Sequence, residues 1–330
     1  MNTLTDIIKK AQTVVIISHV GPDGDTLGSA IGLNIALKQF SNLQKIDSII
    51  LGKFPEVYSF LPEIDSLKSP NDESLLDKYD VAISVDCAAE DRLAEALSIF
   101  KKARLSINID HHQTNKEFGM INIIDPKASS VGEMLVDIVE QIGCNLTKDI
   151  AICFYVSILT DTGGFKFENT TAKTLATCAK LLEKGIKPDV IFKKCYEQKP
   201  LNMILLQAFA INKAKFEEND KIAYTIISKE TIDKYGSQES YTDGISETLR
   251  QAKSVEISMS LRETQNGNTK ISLRSKNIDI CKIAEFFGGG GHRLAAGCII
   301  EKKPEDAINE ILPIAKKQLL NYEEKAKKNT

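Results

Sequence analysis

The stretch TVVIISHVGPDGD, from Thr13 to Asp25, joins a short apolar run to a polar ending. The run is rich in β-branched side chains and predicts a buried strand. It ends in His19, Asp23 and Asp25, immediately before a helical pattern begins. Since a strand followed directly by a helix starts an α/β unit, the polar residues at this junction point to a ligand site at the end of the strand.

Further apolar runs extend this pattern through the first half of the chain. SIILG, VAISVD and LSINID predict three more strands. Helical patterns follow over Gly132–Gly143, Lys148–Thr160 and Thr171–Lys184. We therefore expect an α/β fold whose N-terminal part is a doubly wound, mostly parallel sheet.

The second half predicts a smaller domain, of α+β or α/β type. KIAYTIIS, SVEISMSL and KISLRS alternate as half-buried strands, with helices expected between and after them. The segment 186–202 contains Pro188 and Pro200 and interrupts the pattern, so it is the candidate linker. We therefore predict domains at 1–185 and 203–330, with the active site in the cleft between them.

Composition excludes several classes of protein. The 330 residues are 42% apolar and 26% charged, as in ordinary globular proteins, and no apolar run approaches the ~20 residues of a membrane span. The seven cysteines form no CxxC pair, which argues against a disulfide framework and a structural zinc site. We expect a cytoplasmic protein with no membrane partner, and the sequence leaves open whether it forms a homodimer.

Charge divides unevenly between the two halves. Residues 1–185 carry a net charge of −7 and residues 186–330 a net charge of +4. This balance fits a small anionic ligand held between a cation-loaded acidic domain and a basic one, rather than a long nucleic acid. Chance variation of surface charge between domains is the alternative.

The other strands of the first half also end in polar residues. VAISVD ends in Asp86, and LSINID ends in Asp110, which His111 and His112 follow. Asp161 comes at the end of an apolar helical stretch. The carboxyl ends of parallel strands share one edge, so these side chains can converge on one site. Capping and turn formation are the alternative for the aspartates, most of all for Asp25, where a helix should begin.

Such convergence favours metal binding. Several carboxylates in a partly dehydrated cleft must take up protons or bind multivalent cations. Carboxylates with imidazoles suit Mn²⁺, with Co²⁺, Zn²⁺ or Mg²⁺ as alternatives, and two ions ~3.5–4 Å apart are the usual arrangement for phosphoester hydrolysis.

A glycine-rich stretch in the second half suggests phosphate binding. FFGGGGHRLAAG contains Gly288, Gly289, Gly290 and Gly291, followed by His292 and Arg293. Successive glycines let backbone N–H groups form an anion nest, and Arg274 in KISLRS adds a second basic side chain. A flexible turn is the alternative explanation for the glycines.

Together these motifs resemble the DHH phosphoesterase superfamily over nearly the whole chain. HVGPDGD, SVDCA, IDHH and TDTGGF are similar to its four N-terminal motifs, and GGGGHRLAAG is similar to the glycine-rich motif of its C-terminal domain. Within the superfamily the resemblance is to two-domain nano-RNases and phosphatases of 3′-phosphoadenosine-5′-phosphate (pAp), a group that includes hydrolases of linear dinucleotides.

The resemblance implies a role for each residue. His19 and Asp23 would bind one ion, Asp25, His111 and Asp161 a second, and Asp86 both. His112 would contact the scissile phosphate, with Asp110 orienting a histidine. Substrate binding would fall to Arg274, His292, Arg293 and the Gly288–Gly291 backbone.

The implied substrates are short RNA or DNA oligonucleotides and mononucleotide bisphosphates, not long duplexes. The choice among pAp, oligonucleotides and linear di-AMP (pApA) or a cyclic dinucleotide stays open, as do the direction of attack and the native metal. A family II inorganic pyrophosphatase and a nucleotide sensor with little catalysis are the rival functions. A pyrophosphatase would carry a differently built C-terminal domain without GGGGH.

Overall fold

The computed structural model describes residues 4–328, and it divides into two compact units between Gln198 and Lys199. The segment 186–202, predicted as a linker, contains a helix at Pro188–Tyr196. Ile191 in this helix is buried in the core of the first unit. The division between the units therefore lies near the C-terminal end of that segment.

The first unit is built around one sheet. Its strands are β1 (Thr13–Val20), β2 (Lys45–Leu51), β3 (Val81–Val85), β4 (Leu105–Asp110) and β5 (Ile121–Ile124). Its α-helices are α1 (Leu4–Lys10), α2 (Gly24–Leu37), α3 (Leu97–Lys102), α4 (Val131–Gln141), α5 (Lys148–Asp161), α6 (Ala172–Leu182) and α7 (Pro188–Tyr196).

All strands of this sheet run parallel, in the order β2-β1-β3-β4-β5. Val14 and Ile16 of β1 pack into the core on one face, and Val15 and Ile17 pack into the core on the other. A parallel strand covered on both faces needs a continuous apolar sequence, which explains the run TVVIIS. The predicted α/β fold with a parallel sheet is confirmed, while the short β5 was not predicted.

Helix α2 packs closely against α5 because two of its residues are glycines. A Cβ atom on Gly28 would lie 2.3 Å from the backbone oxygen of Cys153, and one on Gly32 would lie 2.4 Å from the ring of Phe154. These contacts hold α2, whose first turn carries Asp25, against α5.

The second unit is a mixed sheet with helices. Its strands are β6 (Lys215–Glu217), β7 (Ile222–Ile227), β8 (Ile257–Glu263), β9 (Thr269–Ser275), β10 (Gly290–His292) and β11 (Ala295–Ile300). Its α-helices are α8 (Leu201–Asn212), α9 (Lys229–Lys234), α10 (Ile245–Arg250), α11 (Cys281–Phe286) and α12 (Pro304–Lys328). The order is β10-β11-β9-β8-β7-β6, and every pair is antiparallel except β7 with β8.

The two faces of this sheet differ in character. Ile271 and Leu273 of β9 belong to the core that includes residues of α11 and α12. Because side chains alternate along a strand, Lys270, Ser272 and Arg274 point to the opposite face. Helix α10 packs over β7, β8 and β9. Within residues 4–328, no helix combines the length and apolar character needed to cross a bilayer.

Candidate metal centre

The predicted ligand residues of the first unit come together at the carboxyl edge of its sheet. Among the described residues, three groups of three side chains each offer one ligand atom apiece within 4.8 Å of one another. The groups are His19, Asp23 and Asp86; Asp25, His111 and Asp161; and Asp86, His111 and His112. Every residue predicted to bind metal belongs to at least one group.

The first group contains His19 from the end of β1, Asp23 just before α2 and Asp86 just after β3. His19 Nε2 lies 3.3 Å from Asp86 Oδ2, and its Nδ1 lies 2.9 Å from the backbone oxygen of Val20. A hydrogen bond from Nδ1 to this carbonyl leaves the Nε2 lone pair directed at the group. Asp23 is the N-cap of α2, since its Oδ1 accepts a hydrogen bond from the backbone N–H of Thr26 at 3.1 Å.

The second group is arranged around His111. Its Nε2 lies 3.6 Å from Asp25 Oδ2 and 3.5 Å from Asp161 Oδ2. Its Nδ1 lies 3.2 Å from the backbone oxygen of Ala128, so this ring too can direct Nε2 into the site. Carboxylates and imidazoles oriented in this way fit a divalent cation such as Mn²⁺, Co²⁺, Zn²⁺ or Mg²⁺.

Asp86 lies between the two groups. Its Oδ2 faces His19, while its Oδ1 lies 3.7 Å from His111 Nε2. The residue has a φ of 57°, in the left-handed region that L side chains rarely adopt and that aspartate and asparagine tolerate best. Such backbone strain is concentrated at functional sites, and here it turns the carboxylate into the site at the end of β3.

His112 is the more exposed histidine of the pair. Its Nδ1 lies 2.8 Å from Asp110 Oδ1, and 40% of its side chain is exposed. The hydrogen bond to Asp110 raises the pKa of His112 to about 9, while Asp110 itself is fully buried. The raised pKa favours the protonated ring, and the exposed part of the side chain is accessible to an anionic ligand.

Burial and mutual repulsion raise the pKa of three carboxyl groups in the site, those of Asp25, Asp86 and Asp161. Burial raises the pKa of Asp25, and the pKa of Asp86 is raised further because Asp25 and Asp23 add like charge. The pKa of Asp161 rises to about 7 for the same reasons. Burial lowers the pKa of His111, but the neighbouring carboxylates outweigh it and the net direction is upward. Bound cations would relieve this repulsion.

Asp25 does not cap its own helix but binds the N-terminus of another. Its Oδ2 accepts a hydrogen bond from the backbone N–H of Val131 at 3.0 Å, in the first turn of α4. Its Oδ1 accepts hydrogen bonds from Ser29 Oγ at 3.0 Å and Ser157 Oγ at 2.6 Å. These donors hold the carboxylate in one orientation before any ligand binds.

The turn that supplies this N-terminus is itself held by a buried acid. Glu133 Oε2 accepts hydrogen bonds from the backbone N–H and hydroxyl of Ser129 at 3.2 and 2.6 Å, and from Thr174 Oγ1 at 2.8 Å. This support was not predicted from the sequence. The pattern Ser130-x-x-Glu133 is a capping-box signature that could have revealed it.

Two further side chains near the site were not predicted. Asn115 donates a hydrogen bond to Asp110 Oδ2 at 2.5 Å, which fixes the partner of His112. The Arg92 guanidinium lies 3.0 Å from the backbone oxygen of Val20 and 3.1 Å from His19 Nδ1, beside the acidic groups. Neither lies at a strand end, so the pattern that revealed the other residues did not extend to them.

In the second unit the strand register places Arg274 and His292 on one face. Ala295 of β11 pairs with Arg274 of β9 on one side and with His292 of β10 on the other, and directly opposed residues share a face. Arg274 Nε lies 2.5 Å from Glu247 Oε1. Arg293 lies instead in the β10–β11 turn, where its Nη1 donates to the backbone oxygen of Asn277 at 2.8 Å.

Part of the glycine stretch that was expected to form an anion nest is already hydrogen-bonded within the fold. The N–H groups of Gly288 and Gly289 donate hydrogen bonds to Glu285 and Ala284, at the end of α11. Gly290, Gly291 and His292 form strand β10. Gly289 is needed for close packing, because a Cβ there would lie 2.2 Å from the backbone oxygen of Gly297.

Both units of this fold match domain families of known proteins. Residues 13–158 match the DHH family N-terminal domain, and residues 214–321 match the DHHA1 domain. The bifunctional oligoribonuclease and PAP phosphatase NrnA of Thermus thermophilus is 28% identical over 322 residues, covering 97% of this chain and 94% of that protein. The Bacillus subtilis protein of the same name is 29% identical over 291 residues, covering 87% of this chain and 89% of that protein.

Among solved structures, an exopolyphosphatase-related protein from Bacteroides fragilis is similar throughout. It is 28% identical, has a TM-score of 0.87, and the match covers 96% of this chain and 94% of that chain. Fold and site thus define a hydrolase of the phosphoesterase class with a site that can hold divalent cations. The chain belongs to the DHH family and carries both its DHH and its DHHA1 domain. This confirms the resemblance that the sequence motifs indicated.

Proposed function

We propose that this protein is a manganese-dependent phosphoesterase that hydrolyses short oligonucleotides and converts pAp to AMP and phosphate. The activities named for the relatives from Thermus thermophilus and Bacillus subtilis, oligoribonuclease and PAP phosphatase, support this choice. Both relatives align with the chain over most of its length, including the two domains.

The observation that carries the proposal is the position of Asp86 between two ligand groups. Its Oδ2 faces His19 and its Oδ1 faces His111, as a carboxylate bridging two ions would require. His19 and Asp23 would hold one ion, and Asp25, His111 and Asp161 the other. When bound, two divalent ions would lower the pKa of a water molecule and neutralise charge on the phosphate.

His112 would contact the scissile phosphate. The hydrogen bond to Asp110 raises the pKa of His112 and so favours the protonated ring, in which Nε2 can donate to a phosphate oxygen. This donor would bind the charge that grows on phosphorus during attack. In the second unit, Arg274 and His292 would hold the non-scissile part of the substrate.

We further propose a preference for short substrates. The second unit carries a modest positive charge, and aromatic residues make up 6% of the chain without any tryptophan. Long single strands are usually bound by continuous basic grooves with aromatic stacking platforms, so rates should fall steeply beyond about five nucleotides.

The test is a substrate panel measured with Mn²⁺. Initial rates would be compared on pAp, pApA, cyclic di-AMP, pyrophosphate and oligoribonucleotides from two to about twenty-four residues long, a range chosen to exceed the expected limit. We expect turnover of pAp and of the shortest oligonucleotides, with the Asp86→Asn variant inactive on both. A flat or rising length profile would contradict the proposal.

Two outcomes would support other functions. Faster hydrolysis of pApA or cyclic di-AMP than of pAp would indicate a dinucleotide phosphodiesterase, and faster hydrolysis of pyrophosphate would indicate a pyrophosphatase. Nucleotide binding without release of phosphate or nucleotide would indicate a sensor. All six predicted metal ligands are present in these groups, which favours a phosphoesterase over a nucleotide sensor. The DHHA1 domain favours it over a pyrophosphatase.

A further inference from the structure

We infer that a groove on the open face of the second-unit sheet binds a nucleotide beyond the terminal one of an oligonucleotide substrate. This inference rests on the proposed function and adds a subsite to it. The groove is defined by Lys270, Ser272, Gly290, Gly297 and Ile299.

The strand register places this groove next to Arg274 and His292, and the groove includes Gly290, one of the glycines predicted to bind substrate. Arg274, Ala295 and His292 form one cross-strand row. Ser272, Gly297 and Gly290 form the next row on the same face. Lys270 and Ile299 form the row after that. A substrate held by Arg274 can therefore extend along β9 over the two following rows.

The middle row provides an open floor. Gly290 and Gly297 carry no side chains, so the backbone is accessible where bulkier residues would fill the surface. The cavity above has a volume of ≈ 430 Å³ and is bounded by Phe287 and Ile299 as well as the glycines. Ile299 is 56% exposed although it is a large apolar residue. A floor of exposed glycine backbone with Phe287 and Ile299 at its boundary can accommodate a nucleobase or a ribose.

The cations on this face differ in how they are paired. Arg274 forms an ion pair with Glu247, and Arg262 forms one with Glu239. Lys270 forms no ion pair with any residue in the described range 4–328, although Asp243 lies close enough to interact electrostatically. Lys270 is therefore the cation on this face that is free to bind a phosphate without first breaking an ion pair.

The distance between Lys270 and Arg274 favours oligonucleotides over nucleotide bisphosphates as the molecules that contact both side chains. Residues four apart on a strand are separated by about 13 Å, because the rise is about 3.3 Å per residue. Because side chains of a strand stand roughly perpendicular to the sheet, the two charges stay well separated, and the two phosphates of one nucleotide bisphosphate match this separation poorly. A phosphodiester chain of three or more nucleotides can span them. Lys270 should therefore matter for oligonucleotides and not for pAp.

Three variants of the full-length protein test this inference. Lys270→Ala removes the free cation, and Ile299→Glu places a negative charge at an exposed position in the groove. Lys303→Ala removes an exposed lysine outside the groove, at the start of α12, and serves as the matched control. Steady-state kcat/KM would be measured with Mn²⁺ on pAp, a dinucleotide, a trinucleotide and a pentanucleotide.

We expect Lys270→Ala to lower kcat/KM on the trinucleotide and pentanucleotide by about two- to fivefold, with pAp unchanged. Ile299→Glu should have a larger effect on the same substrates, since it adds repulsion as well as bulk. Lys303→Ala should match the wild type on every substrate. Equal losses on pAp and on the pentanucleotide, or no loss on either, would overturn the inference.

A binding measurement separates this inference from the proposed function. A fluorescent trinucleotide with non-hydrolysable linkages would be titrated with each variant, and its anisotropy followed. Weaker binding by Lys270→Ala and Ile299→Glu, but not by Lys303→Ala, supports the groove even if the wild type hydrolyses none of the substrates. Unchanged binding by both groove variants would refute the groove while leaving the proposed hydrolysis intact.

Discussion

The metal centre and the open sheet face place their charges in contrasting ways. In the first unit, Asp25 and Asp86 are buried and held by short hydrogen bonds from Ser157 and Thr26, at 2.6 Å each. In the second unit, Arg274 is only partly buried and is paired with a carboxylate that a substrate phosphate would displace. In the first unit the carboxylates are held in a fixed geometry in which they repel one another. In the second unit the guanidinium of Arg274 would be able to exchange its partner for a substrate phosphate. Substitutions in the two regions should therefore have effects of different size and kind.

The largest effect is expected at Asp86. Asp86→Asn should lower kcat on pAp by about a thousandfold or more, since the lost charge stabilises both proposed ions. Asparagine is the matched replacement because it tolerates the left-handed backbone of this residue. Metal binding would be followed by calorimetry and the fold by circular dichroism. Full metal occupancy with wild-type turnover would refute the two-ion arrangement.

A smaller effect is expected from removing the hydroxyl of Ser157, which orients the carboxylate of Asp25 and would not itself contact the ion. Ser157→Ala takes one donor from Asp25 and should weaken Mn²⁺ binding by about 10- to 100-fold, with a smaller change in kcat at saturating metal. The control is Ser106→Ala, which removes a buried hydroxyl at the end of β4 that lies away from Asp110 and the site. It should leave Mn²⁺ affinity unchanged. Equal affinities for the two variants would show that Asp25 needs no such support.

In the second unit we expect binding, not metal occupancy, to change. Arg274→Ala should raise KM for pAp by about tenfold, with kcat and Mn²⁺ affinity nearly unchanged, because a charge-assisted hydrogen bond to substrate is lost. Steady-state kinetics and metal titration check this. A loss of bound Mn²⁺ would show that Arg274 acts elsewhere.

A substitution of Glu247, the ion-pair partner of Arg274, should change KM for pAp in the opposite direction. Glu247→Gln should free the guanidinium and lower KM for pAp by about two- to fivefold, as expected for a partly exposed ion pair. An unchanged KM, in parallel with an unchanged Arg274→Ala variant, would exclude this face from substrate binding.

The smallest effect concerns stability without metal. Because the folded-state pKa of Asp161 is about 7 and that of His112 about 9, the folded protein binds more protons than the unfolded chain between pH 4 and pH 9. Stability of the metal-free protein should therefore fall as pH rises through this window. Melting curves at pH 5.5 and 8, with EDTA or with Mn²⁺, would check it. We expect Mn²⁺ to raise Tm by several degrees more at pH 8 than at pH 5.5.

The sequence predicted those parts of the molecule that depend on local pattern. Buried parallel strands read as continuous apolar runs, so β1, β3 and β4 and the polar residues at their ends were identified. Strands β5, β6, β10 and β11 were missed. The first three have too few residues to show periodicity, and β11, with the sequence AAGCII, begins with small residues of low strand propensity. Capping was the alternative considered most of all for Asp25, but the N-cap is Asp23, one residue before α2 begins.

The supporting residues could not be predicted because their role depends on tertiary packing. Ser157 and Val131 contact Asp25 across 132 and 106 residues of sequence, and no local signal joins them. The glycine stretch was predicted to form a nest from composition alone, whereas pairing with β11 determines its conformation. Strand register, which sequence does not reveal, brings Arg274 and His292 onto one face.

The contacts of Asp25 also constrain the order of events during synthesis. The segment that holds this carboxylate emerges from the ribosome more than a hundred residues after Asp25 itself, and Ser157 emerges later still. A nascent chain would therefore hold an incomplete ion site until α5 has docked against α2. Cation binding by the Asp25 group would therefore require that this long-range contact has already formed, which couples metal binding to folding of the first unit.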